Sequence, residues 1–410
     1  MKVVLYTNIV SPHQLPLAFE IQEIIGPDNY RYVSVYKEDS GREKLGWAAE
    51  RIPAWVIYRE DTETCDWLES ADVLISGQRD MGLFERRASK GLRNFYMSER
   101  WFKPPLGVLR LLHPLYFMMA WRMVSLIKKG KVFYLPIGVY AARDMTRLIG
   151  LFCGSASCAV QAPGVELAEK KPLGRLTLKP TLPENVFMRM WGYFVEASPS
   201  RHWALREKGS PPLKMLWVGR MLRWKRVDTI IHAVQSLLGA GEHISLAIVG
   251  LGPEENALKQ MAGRYLKEAT ADEVFEADGI SFCPPVPIRE IRPLMRRADV
   301  YVLASDGYEG WGAVVNEAMA EGCCVIGTRE AGSPMTMIED GVNGLLFDAG
   351  DTGGLVCCVR KVMDAAYRQA LAQQGKQTID AVWSPENAAK QLLAFCESET
   401  QAPLLAGERK

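Results

Sequence analysis

The sequence predicts two α/β domains that face each other across a cleft. At 410 residues, the chain is longer than one hydrophobic core usually covers. Short apolar segments recur in two series, separated by stretches long enough for helices, as in parallel sheets with helical crossovers. The 48% hydrophobic and 24% charged residues are typical of a folded chain and exclude a disordered one.

The two series of apolar segments define the predicted strands. In the first half these are Val3–Tyr6, Tyr32–Val35, Asp72–Ile75, Asn94–Met97, Val132–Leu135 and Met190–Phe194. In the second half they are Met215–Val218, Leu246–Val249, Ile280–Phe282, Val300–Leu303, Cys324–Ile326 and Leu345–Phe347. Ligands of such sheets bind outside the carboxyl ends of the strands, so the loops after these segments are the candidate site.

A polar stretch that contains Pro and Ser separates the two series. We therefore predict a first domain over residues 1–196, an interdomain connection over 197–212 and a second domain over 213–383. Residues 384–410 are predicted to form a C-terminal helix and a frayed tail.

Composition narrows the function classes. A net charge of +1 gives no indication of nucleic-acid binding. The nine cysteines show no metal-ligand spacing, which predicts reduced thiols, a reducing compartment such as the cytoplasm, and no metal site. The first apolar run is too short for a signal peptide. Charged residues and Pro114 interrupt residues 106–127, which argues against a transmembrane helix.

Two glycine-containing loops follow strands of the second series. After Val218, the segment from Gly219 places Arg220 and Lys225 near one strand end. Each could bind a diphosphate through charge-assisted hydrogen bonds worth about 1.5–3 kcal/mol, and a solvated basic turn is the alternative. The segment Gly250–Pro253 suits a phosphate cradle but lacks the third glycine of the dinucleotide fingerprint. Tight strand–helix packing is the favoured explanation for it.

The strongest pattern spans residues 305–322, a glycine-rich loop that leads into a helix of small residues. Glu309 precedes the helix and Glu317 lies within it among apolar neighbours. Eight helical residues span about 12 Å, beyond the roughly 5–9.5 Å that paired hydrolytic carboxylates require. We therefore predict two separate binding roles, with a helix cap plus a hydrogen-bonded buried Glu as the alternative.

The motif Glu-Gly-Trp-Gly-(four residues)-Glu-Ala-Met-Ala-x-Gly, which begins at Glu309, resembles the donor domain of family 4 retaining glycosyltransferases. Residues 331–334 and 339–344 and the loops after Val218 and Val249 are similar to further blocks of that family, so the resemblance covers residues 214–347. It implies the GT-B fold, two Rossmann-like α/β domains, with an N-terminal acceptor domain and a C-terminal donor domain. The implied reaction moves a sugar, with retention, from a nucleotide-diphosphate sugar to a glycan acceptor.

The resemblance also implies residue roles. Arg220 and Lys225 would bind the donor diphosphate and Glu309 the transferred sugar, so these three are the predicted catalytic residues. Glu317 would bind the ribose. The other implied donor-binding positions are Gly219, Val286 beside the base, and Gly310, Trp311 and Gly312 through backbone amides. No metal or cofactor is expected, because the two cations and the helix end would neutralise the leaving diphosphate.

The first half departs from the family pattern. Relatives often have a glycine pair after the first strand and a histidine after the strand that corresponds to Asn94–Met97, and this chain has neither. His13 and Glu99 are the candidates for the acceptor side, with a structural role as the alternative for each.

A basic and aromatic stretch runs from Trp101 to Lys131. No Asp or Glu occurs between Trp101 and Arg143, and residues 1–200 hold 26 Lys and Arg against 21 Asp and Glu. Such a stretch suits the surface of an anionic bilayer, and a core helix with basic ends is the alternative. We expect peripheral association with the inner face of a membrane and a lipid-linked acceptor in cell-surface polysaccharide synthesis.

Other function classes stay open. A nucleotide-sugar epimerase of the same fold would act without an acceptor, and a non-catalytic sugar-binding protein would not consume donor. A nicotinamide dehydrogenase would need the complete glycine fingerprint, which is missing here.

Overall fold

The computed structural model describes residues 1–37, 52–153, 160–161, 188–196 and 212–401, which form two α/β units, each on a parallel sheet. We call the described residues up to 196 the first unit and those from 212 to 381 the second unit. The predicted pair of α/β domains is confirmed. The predicted boundaries stay a prediction, and the connection at 197–211 and the tail at 402–410 lie outside the described residues.

The first sheet has the strand order β3-β2-β1-β4-β5-β6-β8-β7. Its strands are β1 Val3–Thr7, β2 Tyr30–Ser34, β3 Val56–Tyr58, β4 Val73–Ser76, β5 Arg93–Ser98, β6 Phe133–Pro136, β7 Val160–Gln161 and β8 Met188–Arg189. Its helices are α1 Leu15–Ile25, α2 Thr64–Ser70, α3 Met81–Ser89, α4 Pro114–Lys128 and α5 Val139–Cys153. A 3₁₀ segment, Gly107–Leu112, precedes α4.

The second sheet has the order β11-β12-β10-β9-β13-β14-β15. Its strands are β9 Leu213–Val218, β10 Ile244–Val249, β11 Leu266–Glu268, β12 Gly279–Cys283, β13 Val300–Leu303, β14 Cys324–Thr328 and β15 Leu345–Phe347. The helices are α6 Val227–Gly239, α7 Glu255–Ala262, α8 Ile288–Arg297, α9 Val314–Ala320, α10 Gly332–Met337, α11 Thr352–Met363 and α12 Ala365–Ala381, followed by α13 Pro385–Gln401.

The strand order of the second sheet places the candidate loops together. From β9 the chain first adds strands on one side, and β13 then pairs with the other side of β9. The loops after β9 and β13 therefore leave the same edge of the sheet from neighbouring strands, at the point where the strand order reverses. Ligands of doubly wound sheets bind at this point.

One strand prediction was wrong. Met190–Phe194 is not a strand, because β8, which lies between β6 and the edge strand β7, ends at Arg189 and only Trp191 makes one further bridge, to Ile137. These residues are apolar because they lie between the two units, where the ring of Phe194 stacks on that of Trp383 with centroids 6.0 Å apart. The short edge strands β3 and β11 were not predicted.

The C-terminal helix returns to the first unit. Helix α13 packs against α1, and the ring of Phe395 contacts those of Phe95 and Phe133 at 6.0 and 5.3 Å. The chain therefore crosses between the units twice. Within the described part of the chain, no helix combines the length and the apolar character needed to cross a bilayer.

Candidate active site

The loops after β9 and β13 bring two predicted catalytic residues into contact. The ammonium group of Lys225 donates a hydrogen bond to the carboxylate of Glu309, which also accepts one from Ser305 Oγ at 3.0 Å. The Lys225 nitrogen lies 4.5 Å from the ring centroid of Trp224. Glu309 is buried and its charge is matched by that of Lys225, as a buried carboxylate requires.

The second carboxylate of the motif contacts the opposite unit. Glu317 lies on the buried side of α9, and its Oε1 is 3.3 Å from His13 Nδ1. His13 belongs to the loop after β1, where the carboxyl end of the first sheet faces the second unit. The predicted acceptor-side residue His13 therefore lies beside the predicted ribose-binding residue Glu317.

A cavity of about 270 Å³ separates the two units at this position. The first unit contributes residues that follow β1 and β8, and the second contributes the loops after β9 and β13 together with α8 and α9. Its predicted site residues are His13, Gly219, Arg220, Lys225, Glu309, Gly312 and Glu317. Arg220 is exposed at the edge of this cavity and Lys225 is half-buried.

Val286 lines a smaller apolar recess beside the cavity between the units. Its neighbours are Pro285, Ile291 and the residues at the carboxyl ends of β9 and β10. Val218, Gly219 and Ile291 line both spaces, so the recess adjoins the cavity between the units. The family resemblance implies that the base of the nucleotide lies near Val286, and the structure has a narrow apolar slot there.

The glycines after β10 allow the loops after β9 and β10 to approach each other closely. A Cβ at Gly250 would overlap the carbonyl oxygen of Gly219, and one at Gly252 would overlap that of Met221. Gly250 also has a φ of +136°, which side chains other than glycine rarely adopt. The structure thus supports the packing explanation for this segment rather than the phosphate cradle.

Glu99 contacts the donor loop from outside the cavity. A Cβ at Gly310 would overlap the Glu99 carboxylate, which is paired with Lys103 at 2.6 Å. The next residue, Arg100, donates from Nη1 to the carbonyl oxygen of Gly307 at 3.0 Å. Glu99 is not among the residues that line the cavity, so its contact with the loop is consistent with the structural alternative.

The side chain of Trp311 forms part of the core between the units. It is 1% exposed, and its Nε1 donates to Asn316 Oδ1 at 2.8 Å. Asn316 in turn donates from Nδ2 to the carbonyl oxygen of Tyr193 at 2.8 Å, and the Trp383 ring lies 5.4 Å from Trp311. Only the backbone of Trp311 is therefore placed to contact a ligand.

Sequence reasoning did not find several residues of this site. Tyr193 lies in the segment that was interpreted as a strand. Asn316 is one of the four unspecified residues of the motif, so the motif does not single it out. Tyr301 in β13 donates its hydroxyl to the carbonyl oxygen of Val218 at 3.3 Å. Burial raises the pKa of Tyr301 well above its usual value, so it stays neutral beneath the cavity.

Comparison with known proteins supports the predicted family. Residues 212–365 match the family model described as glycosyl transferases group 1. The lipopolysaccharide core biosynthesis glycosyltransferase LpsE of Rhizobium meliloti (strain 1021) is 30% identical over 187 residues, 43% of this chain and 48% of LpsE. The putative colanic acid biosynthesis glycosyltransferase WcaL of Salmonella typhimurium (strain LT2) is 30% identical over 187 residues, 44% of this chain and 43% of WcaL. The matched segments thus span less than half the length of these two relatives.

Solved structures are similar over nearly the whole chain. HepE of Anabaena in complex with UDP has a TM-score of 0.61 at 15% identity, covering 97% of this chain and 100% of HepE. Sucrose-phosphate synthase from Thermosynechococcus elongatus has a TM-score of 0.58 at 13% identity, covering 98% and 99%. At these identities the likeness concerns the fold alone.

These comparisons confirm the predicted GT-B fold and, over residues 212–365, the resemblance to group 1 glycosyl transferases. The family model and the relatives that match this segment are glycosyltransferases, which is the predicted enzyme class. Membership of family 4, retention and the individual residue roles stay predictions.

Proposed function

We propose that this chain transfers a sugar from a nucleotide-diphosphate sugar to a glycan acceptor. The observation that carries the proposal is the cavity between the units, where the cations after β9 meet the carboxylates of the β13 loop and α9. Cations and carboxylates in one cavity match a ligand that carries both phosphates and sugar hydroxyls.

The donor would lie along the carboxyl edge of the second sheet. Its diphosphate would bind Arg220 and Lys225, its base would occupy the slot at Val286, and its ribose would lie near Glu317. Because Lys225 already pairs with Glu309, the diphosphate competes with that carboxylate for the ammonium group. The similar Anabaena structures are complexes with UDP and with UDP-glucose, so uridine diphosphate is the first ligand to test here.

The chemistry of this site depends on the charge that develops on the leaving diphosphate. Arg220 and Lys225 stabilise that charge at fixed positions, which lowers the barrier to breaking the bond between sugar and phosphate. Glu309 lies next to Lys225, where the transferred sugar would meet the phosphate. Retention at the anomeric carbon, as in the family that the motif resembles, is part of this proposal.

We extend the proposal to a lipid-linked acceptor in cell-surface polysaccharide synthesis. The names of LpsE and WcaL refer to the biosynthesis of lipopolysaccharide core and of colanic acid, which supports a glycan acceptor. His13 and Tyr193 are the first-unit residues on which the acceptor would lie. Donor consumption that depends on an added acceptor would separate this activity from that of an epimerase or a sugar-binding protein.

Arg220→Ala and Lys225→Ala should each weaken UDP binding by about 1.5–3 kcal/mol, because each removes a charge-assisted hydrogen bond to the diphosphate. Isothermal titration calorimetry with UDP measures the change. Arg223→Ala is the matched control, since Arg223 is an exposed cation of the same loop that lines a different cavity. Wild-type affinity in both variants would contradict the placement of the diphosphate.

An excess of EDTA should leave transfer activity within about twofold of the untreated enzyme, because the two cations perform the charge neutralisation that a metal would otherwise supply. The measurement is the rate of UDP release with and without chelator, with added Mg²⁺ as the comparison. A strict requirement for a divalent ion would contradict the proposed leaving-group chemistry.

A further inference from the structure

Large apolar side chains are exposed on the first unit around the start of α4. We name this surface the apolar ridge. It consists of Leu106, Val108, Leu109, Leu112, Leu115, Phe117, Met118 and Trp121, each between 45% and 79% exposed. Contiguous apolar surface of this kind is rare on a protein that contacts only water, and it marks an interaction site.

Core packing does not account for the ridge. Helix α4 uses its opposite face for the core, where Ala120, Met123, Val124 and Ile127 are buried at helical spacing. The membrane-facing stretch predicted from the sequence starts at Trp101, but the first two residues of that stretch are buried. Trp101 and Phe102 are 0% and 5% exposed, and Trp101 is covered by the guanidinium of Arg79 at 4.5 Å. The surface begins at Leu106.

Basic residues accompany the ridge. Arg110 lies within its span, Arg122 directly follows Trp121, and the exposed Lys128, Lys129 and Lys131 follow at the end of α4. Arg122 pairs with Glu85 at 3.1 Å, and Asp144, the first acidic residue after Glu99, is buried. Exposed apolar side chains with cations beside them complement a hydrocarbon layer beneath anionic headgroups.

We propose that the apolar ridge docks this protein on an anionic lipid bilayer. Helix α4 lies along the interface, its outward Leu115, Met118 and Trp121 enter the acyl boundary, and the lysines at its end contact the headgroups. The leucines of the preceding 3₁₀ segment insert beside them. The proposed docking follows from the exposed apolar side chains of the ridge and the basic residues beside them. It does not depend on the transfer reaction.

The ridge begins beside the donor loop of the second unit. Pro104 lies 3.7 Å from the ideal Cβ position of Gly307 in the donor loop, and the neighbouring Arg100 binds the carbonyl oxygen of Gly307. Leu106 is two residues further along, so its Cα lies at most about 7 Å from that of Pro104. A bilayer under the ridge would hold a lipid-linked acceptor beside the donor loop. The position of the acceptor rests on the proposed function.

Co-sedimentation with vesicles tests the proposal, using phosphatidylcholine alone and phosphatidylcholine with 30 mol% phosphatidylglycerol, at low and high salt. Wild type should bind the anionic vesicles, and salt should weaken that binding. Leu109→Ser/Leu112→Ser should lower partitioning on the order of a hundredfold at both salt concentrations. Lys128→Glu/Lys129→Glu/Lys131→Glu should lower it by about fivefold or more per residue, mainly at low salt.

The matched control is Ile24→Ser/Val342→Ser, which replaces two exposed apolar residues outside the ridge and should bind vesicles like wild type. The proposal is overturned if the wild-type protein does not bind anionic vesicles at low salt. It is also overturned if the leucine variant partitions onto vesicles as the wild type does. Self-association that the leucine variant abolishes, without vesicle binding, would assign the ridge to a protein partner instead. UDP affinity should be equal in all variants, so failure here is distinguishable from failure of the proposed function.

Discussion

Glu309→Gln should lower kcat by about two to three orders of magnitude, a loss typical of removing one electrostatic contact to a transition state. The amide preserves the shape of the side chain and can still contact Ser305, but it carries no charge to oppose Lys225. Steady-state kinetics of UDP release, with kcat and KM determined separately, measures the effect.

Glu317→Gln is the comparison for this experiment. It should mainly weaken donor binding, because Glu317 is placed beside His13 rather than beside Lys225. The two variants together separate a contact to the reacting sugar from a contact to the nucleotide. If both retain wild-type donor affinity and rate, the motif is structural and the proposed activity loses its main support.

Trp311→Ala should lower the free energy of unfolding by about 3–5 kcal/mol, the range for truncating a large buried aromatic residue. The indole fills space between Trp383, Tyr193 and Gly192, where even a Cβ on Gly192 would lie 2.7 Å from the ring. Urea unfolding followed by circular dichroism measures the change.

Trp311→Phe is the conservative member of this pair. It keeps most of the ring volume and loses the hydrogen bond to Asn316, so we expect a loss of about 1–3 kcal/mol. Wild-type stability of the alanine variant, together with lost UDP binding, would show that the indole contacts the ligand and does not serve the core.

The second sheet was largely predictable because its central strands are buried on both faces and read as continuous apolar runs, as in Ile244–Val249. The edge strand β11 was missed because its three residues are half-buried or exposed, so no apolar run marks it. The segment 190–194 was misread because burial between two units gives the same apolar pattern as burial within a sheet.

The pairing of Lys225 with Glu309 follows from the motifs, since both loops leave neighbouring strands of one sheet. The contacts of Glu317 with His13 and of Asn316 with Tyr193 join different units. They depend on how the two sheets face each other, and no local pattern in the sequence encodes that orientation.

The second crossing of the chain, at residues 382–384, limits how the units can move apart. Phe194, which lies shortly before the first crossing, stacks on Trp383 in the second, so the first crossing starts beside the second. Two connections that start at one place favour rotation of the units about that place over free separation. The contacts of Arg100 with Gly307 and of His13 with Glu317 also join the units, so a rotation that opens the cavity must break them.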